Sequence, residues 1–257
     1  MFRMFSSRLA GAVARGTGDR PVGLNVFILP ADTAYPFIAW CYANYASGAV
    51  VDFSDRGSPL LFADTATPVD VRTAAARYDV MKADTCSRTP ADLIADWSDD
   101  LVAVGIGCSV VVDHAMTAAG IGLKHIARSV ALAVYETAVP TRAVGPFSAR
   151  QHVSMRIVKK AQADDAVAVT GRYPVLHGAP VHVGDAAELG IADLAKPVLG
   201  AGLMPDDDEI CLFWGCGVTL RAALSGTVFW MANSEGSLVA TPFPISAFRT
   251  PDPRAPS

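Results

Sequence analysis

Two stretches of this chain run from a continuously apolar strand directly into a glycine–cysteine turn and then a helix, and they restrict its fold more than any other feature. Leu101–Gly107 (LVAVGIG) leads into Cys108-Ser109 and a helical pattern through Met116; Ile210–Gly215 (ICLFWG) leads into Cys216-Gly217-Val218-Thr219 and the helical pattern LRAAL. An unbroken apolar strand is one buried on both faces, and a strand that feeds a helix through a tight turn sets a ligand-facing loop at its carboxyl end. Two such junctions imply the α/β class, with an α/β core layer. Between them, roughly residues 135–170 alternate polar with apolar side chains, as in Val153-Ser154-Met155-Arg156-Ile157-Val158, the period of an antiparallel sheet. The expected organisation is an α/β core domain from residues 1–134 and 186–257, with a smaller inserted α+β domain at 135–185.

Local signals fill in the rest. Val22–Leu29 reads as a buried strand ended by Pro30, and Asp32 or Thr33 caps a helix reaching Cys41. Ala49–Phe53 and Tyr78–Met81 read as strands, and Thr89-Pro90 carries the hydroxyl cap and leading proline of a helix start. Residues 1–16, which hold arginines and serines but no apolar h-region, read as a short capping helix, and 251–257 as a frayed tail. A length of 257 residues suits one large or two modest domains, and 51% hydrophobic against 18% charged residues excludes general disorder. A net charge of −4 argues against a nucleic-acid partner, since counterion release needs a basic surface. The longest apolar stretch, Leu101–Val112, falls short of the roughly 18 residues that span a bilayer, so no membrane partner is expected. The five cysteines include no Cys-x-x-Cys pair, which supports neither a disulfide framework nor a zinc ribbon. A reducing cytoplasmic setting, a small-molecule substrate and no metal or other cofactor are therefore expected, and a homodimer is a compatible assembly.

Chemistry concentrates in three places. The loop His177–Asp185 (HGAPVHVGD) brings His177, His182 and the Asp185 carboxylate together between glycines and a stiffening proline. Imidazoles there suit proton transfer near neutral pH, with Asp185 orienting one ring; the alternative is a rigid turn whose histidines satisfy local carbonyls. Cys108-Ser109 and Cys216-Gly217-Val218-Thr219 sit where helix-start amides favour a carboxylate or a developing oxyanion, and either thiol is a candidate nucleophile. The alternative is a pair of small residues at tight turns. Arg72, Arg142, Arg156 and Arg172 lie in strand-edge or turn surroundings, where one or two could clamp a substrate carboxylate and the others form ion pairs.

The same residues, in this order, resemble the D-glutamate cyclase-like hydro-lyase family. The match runs over about nine tenths of the chain. It starts at Asn25 with Ile28-Leu29-Pro30 and continues through Asp70-Val71-Arg72-Thr73, Trp97-x-Asp99-Asp100 and Ile106-Gly107-Cys108-Ser109. It then takes in Val153-Ser154-Met155-Arg156, Arg172-Tyr173-Pro174, His177–Asp185 and Phe213-Trp214-Gly215-Cys216-Gly217-Val218-Thr219. The resemblance implies a lyase that removes water, the best-known case being closure of D-glutamate to 5-oxo-D-proline. It places His177, His182, Asp185, Cys108 and Cys216 as catalytic candidates. Asn25, Arg72, Ser109, Arg142, Ser154, Arg156, Arg172, Trp214, Gly217 and Thr219 are then the substrate-binding candidates. Departures cluster in loops: Ala138 replaces a family asparagine, Pro146 an arginine, Asp113 a glutamate, and Asn233-Ser234-Glu235-Gly236-Ser237 a His-Ala-Pro-Gly-His pattern. Three readings follow: a lyase that dehydrates or cyclises a small carboxylic-acid-bearing molecule, a recruited cyclase for a larger, less polar secondary metabolite, or a non-catalytic small-molecule-binding protein.

Overall fold

The computed structural model of the chain describes residues 21–251. The expected N-terminal helix and nearly all of the expected tail lie outside them. β1 (Pro21–Pro30) runs without a loop into α1 (Ala31–Ala43), followed by β2 (Val50–Phe53), β3 (Leu60–Leu61), β4 (Val69–Asp70), β5 (Tyr78–Lys82), β6 (Thr85–Arg88) and β7 (Leu101–Gly107). Next come α2 (Val111–Ala118), α3 (Lys124–Ala127), β8 (Val134–Pro140), β9 (Arg150–Lys159), α4 (Ala163–Thr170) and β10 (His182–Val183). The described chain ends with β11 (Glu209–Gly215), α5 (Val218–Ala223), β12 (Phe229–Asn233) and β13 (Val239–Pro244). Helices and strands are mixed along the chain, and every strand pairing among the described residues is antiparallel. No helix among them is long and apolar enough to cross a membrane. Thr89-Pro90 does not open a helix. The Pro90 carbonyl accepts from Tyr78 N–H and Leu93 N–H donates to the Arg72 carbonyl, so long-range backbone bonds claim the segment and only a 3-10 turn forms at Ile94–Asp96.

The chain divides into two compact units. Residues 21–39, 50–107 and 224–248 form one of them. Its seven-stranded sheet has the order β2-β7-β1-β12-β5-β6, with β13 also paired to β1. β1 and β7 pair along their whole shared length, from Leu24↔Gly107 to Pro30↔Leu101. β7 is buried throughout because apolar groups cover both faces of this pair. On one face the Phe27 ring lies 5.8 Å from Phe37 of α1 and 6.1 Å from Trp230 of β12. On the other, Leu24 and Leu61 close over Gly105, where a Cβ would stand 2.9 Å from the Leu61 Cδ1.

Residues 40–49, 108–223 and 249–251 form the second unit, around a four-stranded sheet ordered β10-β11-β9-β8. The alternation seen in the sequence is realised on β9. Val153, Met155 and Ile157 join Tyr135, Cys211 and Phe213 in one apolar cluster. Val158 joins Leu212 and Trp214 on the opposite face, against Val112 and Met116 of α2 and Ala166 of α4. The expected inserted domain at 135–185 is redrawn by these pairings. β9 bonds β11 from Lys159↔Glu209 to Val153↔Gly215, so the segment's sheet is completed by a strand from outside it. The two strand–turn–helix junctions consequently end strands of different sheets, β7 in one and β11 in the other.

Phe27 is 2% exposed between two aromatic neighbours. Phe27→Ala is expected to lower unfolding free energy by about 3–5 kcal/mol through lost burial and a residual cavity. Urea denaturation of both proteins, compared at unchanged slope, measures it.

Candidate active site

Because side chains alternate along a strand, His152, Ser154 and Arg156 stand in one row on β9. Arg156 is fully buried, and each of its nitrogens is used. Nε donates to Asp113 Oδ1 at 2.7 Å, Nη1 to Ser154 Oγ at 2.5 Å and Nη2 to the Ser109 carbonyl at 2.7 Å. Its guanidinium carbon sits 5.2 Å from the Trp214 ring centre, within cation–π range. On the far side of Asp113, His125 Nε2 donates to Oδ2 at 3.3 Å. Burial alone would push the Asp113 carboxyl up, but the Arg156 charge and the hydrogen bonds from His125 and Arg156 outweigh it and hold the carboxyl below its ordinary value. Arg156, expected as a substrate clamp, is an internal strut.

Both glycine–cysteine turns abut the same strand. Ser109 Oγ lies 3.0 Å from Ser154 Oγ, and Cys216 N–H donates to the His152 carbonyl at 2.9 Å, two residues along β9. The turns therefore converge, with Cys108 and Cys216 half-buried beside them. Ser109, Ser154, Trp214 and Thr219 are buried and engaged internally; Thr219 Oγ1 accepts from His152 N–H at 2.9 Å, and Gly217 uses its carbonyl to start α5.

Both imidazoles of the histidine loop bond backbone carbonyls, one distant in sequence and one within the loop. His177 is buried in a left-handed conformation, φ 78°, and its Nδ1 donates to the Ala46 carbonyl at 2.8 Å. His182 Nε2 donates to the Asp185 carbonyl at 2.8 Å, with its ring 5.8 Å from Phe213. The Asp185 carboxylate does not orient a ring; it caps the following 3-10 turn by accepting from Ala187 N–H at 2.9 Å. Among the remaining candidates, Arg72 is bidentate to Asp70, and its closest contact is 2.6 Å. Arg172 donates to the Thr250 carbonyl at 3.2 Å. Arg142 contributes its backbone, exchanging hydrogen bonds with the Asn44 side chain at 2.7 and 2.9 Å. Asn25 lies on β1 opposite Ile106, in the first unit with Arg72. Asn233, one of the departures, accepts from Val26 N–H at 2.7 Å and acts as a sheet staple there. Among the described residues no three His, Cys, Asp or Glu side chains converge as metal ligands would.

The second unit does contain a cleft, of about 290 Å³, lined by residues 43–47 with Pro140, Thr141 and Gln151. His177 bonds the Ala46 carbonyl of its wall, and Gly215 packs against the same oxygen so closely that a Cβ there would stand 2.0 Å away. Asn44 staples the wall by donating to the Trp40 carbonyl at 2.9 Å as well as to Arg142. None of the lining side chains carries a formal charge at neutral pH. Burial pushes the Tyr45 phenol up to about 12, which keeps it a neutral hydrogen-bond donor. No motif marks these residues in the sequence. Residues 43–47 are small or polar without periodicity, and Gln151 belongs to the face of β9 opposite the His152 row.

Residues 102–241 match the family model described as D-glutamate cyclase. Several proteins named "Putative hydro-lyase" are similar over most of their length. One from Rhodopseudomonas palustris (strain TIE-1) is 38% identical over 219 residues, covering 84% of this chain and 80% of its own. One from Bordetella petrii is 37% identical over 238 residues, covering 92% and 89%. One from Pseudomonas aeruginosa is 40% identical over 210 residues, covering 82% and 79%. Among solved structures, a nitrogen repressor-like protein from Methanococcus jannaschii aligns with a TM-score of 0.37 at 10% identity over 93% of this chain and 99% of its own, too slight a likeness to bear on the fold.

The buried pair makes a stability prediction. Arg156→Met strands the Asp113 carboxylate and should cost about 3–5 kcal/mol, whereas Arg156→Met with Asp113→Leu should recover most of it. A pH series separates the groups. The His152 ring is held below its ordinary value of 6.5 by burial, against smaller opposing effects of the Arg150 carbonyl and Glu136. The unfolded chain therefore takes up that proton first, and stability should fall as pH drops below 6.5. Asp113, depressed below 3.8, contributes stability above that value, and the contribution is lost as pH falls through its folded pKa. Chemical denaturation between pH 8 and about 3 checks both, and His152→Gln should flatten only the upper part of the profile.

Proposed function

This chain belongs to the D-glutamate cyclase family, and from that premise we propose that it is a lyase that dehydrates or cyclises a small molecule bearing at most one carboxylate, received in the cleft at residues 43–47, Pro140, Thr141 and Gln151. The observation that carries this reading is the absence of any arginine or lysine from the cleft lining, while Arg72, Arg156 and Arg172 are committed to Asp70, Asp113 and the Thr250 carbonyl. Losing one charged hydrogen-bond partner costs about 1.5–3 kcal/mol, so a second carboxylate would bind at a penalty of roughly one to two orders of magnitude.

Loss of water from a carboxyl carbon needs a donor for the developing oxyanion and a proton for the departing oxygen. The Tyr45 hydroxyl, which lines the cleft as a neutral phenol, supports a role in holding the substrate. The half-buried thiols of Cys108 and Cys216 are the nucleophile or proton-carrier candidates beside β9. His177 acts as a positioning residue that holds the Ala46 wall. His182 and Asp185 shape the loop behind it. A volume of about 290 Å³ is at the lower limit of the roughly 300–1,000 Å³ typical of ligand pockets, which favours a small substrate over a large secondary metabolite.

Purified protein should convert D- and L-glutamate to 5-oxoproline at least roughly tenfold more slowly than it removes water from the best of a panel of small monocarboxylates, followed by mass spectrometry. Tyr45→Phe should lower kcat/KM for that monocarboxylate by about 2- to 10-fold, as expected for one lost hydrogen bond, without unfolding the protein. Efficient 5-oxoproline formation from either glutamate enantiomer overturns the reading.

A further inference from the structure

Three groups in the cleft keep hydrogen-bonding capacity that the rest of the described protein does not use. Among the described residues the Tyr45 hydroxyl has no hydrogen-bond partner, although Tyr45 lines the cleft. Ser47 Oγ accepts from Gln151 Nε2 at 3.3 Å, and its own proton has no acceptor. Gln151 spends its Nε2 on that contact, and its Oε1 accepts from nothing. The other polar side chains of the lining already bond the protein. Thr141 Oγ1 donates to the Ala149 carbonyl at 3.0 Å and accepts from Ala149 N–H at 2.8 Å, and Asn44 is fully engaged with Trp40 and Arg142. The cleft thus offers two hydroxyl donors, one amide-oxygen acceptor and no charge.

That inventory discriminates between ligand chemistries. A carboxylate presents only acceptors. It would meet two neutral donors and no cation, and would face the Gln151 oxygen with charge of the same sign. A carboxamide presents a carbonyl oxygen with two lone pairs and an N–H, the complement of two donors and one acceptor. We infer that the cleft recognises a neutral carboxamide group of its ligand, with the carbonyl oxygen taken by the Tyr45 and Ser47 hydroxyls and the N–H by Gln151 Oε1. Any carboxylate the ligand carries then lies outside this subsite. The inference rests on reading the cleft as the substrate site, and it narrows the substrate to an amide-bearing small acid.

The test uses three probes with one carbon skeleton: succinate, succinamate and succinamide. They are titrated into the full-length chain while the backbone amides of residues 43–47 and the Gln151 side-chain amide are followed by NMR. Succinamate and succinamide should shift these resonances and bind at least tenfold more tightly than succinate. Tyr45→Phe and Gln151→Leu should each weaken succinamate by roughly 2- to 10-fold, as expected for one lost hydrogen bond, while changing succinate binding little. A well-dispersed spectrum for each variant shows that it is folded. If succinate shifts the same resonances and binds as tightly as the amides, the carboxamide inference fails and the cleft still stands as the substrate site. If none of the three probes shifts these resonances, the reading of the cleft itself fails, and the inference with it.

Discussion

A guanidinium without solvent contact has to find a hydrogen bond for each nitrogen and an opposite charge, and Arg156 obtains them from three separate pieces of chain. Asp113 comes from the first turn of α2, the Ser109 carbonyl from the turn before it, and Ser154 from β9 itself. Desolvating such a pair costs several kcal/mol per ion, so the arrangement adds little net stability over an apolar replacement. What it defines is position. The Cys108-Ser109 turn is held by both its carbonyl and its serine hydroxyl, and Trp214 is pinned under the guanidinium.

From Trp214 the constraint passes outward through single contacts. The Trp214 indole N–H donates to the Gly178 carbonyl at 3.0 Å, which seats the histidine loop. His177, turned left-handed there, reaches the Ala46 carbonyl, and Ala46 in turn lies against Gly215, the residue after Trp214. A closed circuit of contacts therefore links the buried arginine to the wall of the cleft. It explains why a histidine tolerates a backbone conformation that disfavours side chains: the strain, of order 1–3 kcal/mol, is held by a buried hydrogen bond at the cleft wall.

The family motifs fall in both units, and the cleft of the second unit is lined by residues outside them. Of the arginines and serines that the resemblance assigns to substrate, Arg72, Arg156, Arg172, Ser109 and Ser154 bond the protein's own groups, while Arg142 engages the protein through its backbone. The neutral amides and hydroxyls that line the cleft come from residues 43–47, from Thr141 after β8 and from Gln151 of β9. A fold does not by itself fix the ligand, because ligand preference follows the few groups in a site whose hydrogen-bonding capacity is not used by the protein.

Local order was legible in the sequence. The apolar runs at 101–107 and 210–215 are buried strands, the alternation at 153–158 divides cleanly between two apolar faces, and the α1, α2 and α5 patterns are helices, because each depends on a repeat shorter than the element itself. Partnership was not legible. Whether β11 joins β7 or β9, whether Thr89-Pro90 starts a helix, and whether Asp185 orients a ring or caps a turn are decided by groups tens of residues away or by competing backbone donors. The same holds for the site. Residue type identified Arg156, His177 and Ser154 as groups that need partners, but only tertiary structure decides whether the partner is a ligand or the protein. A buried polar group takes the first acceptor that folding brings within reach, and sequence spacing does not encode which one that is.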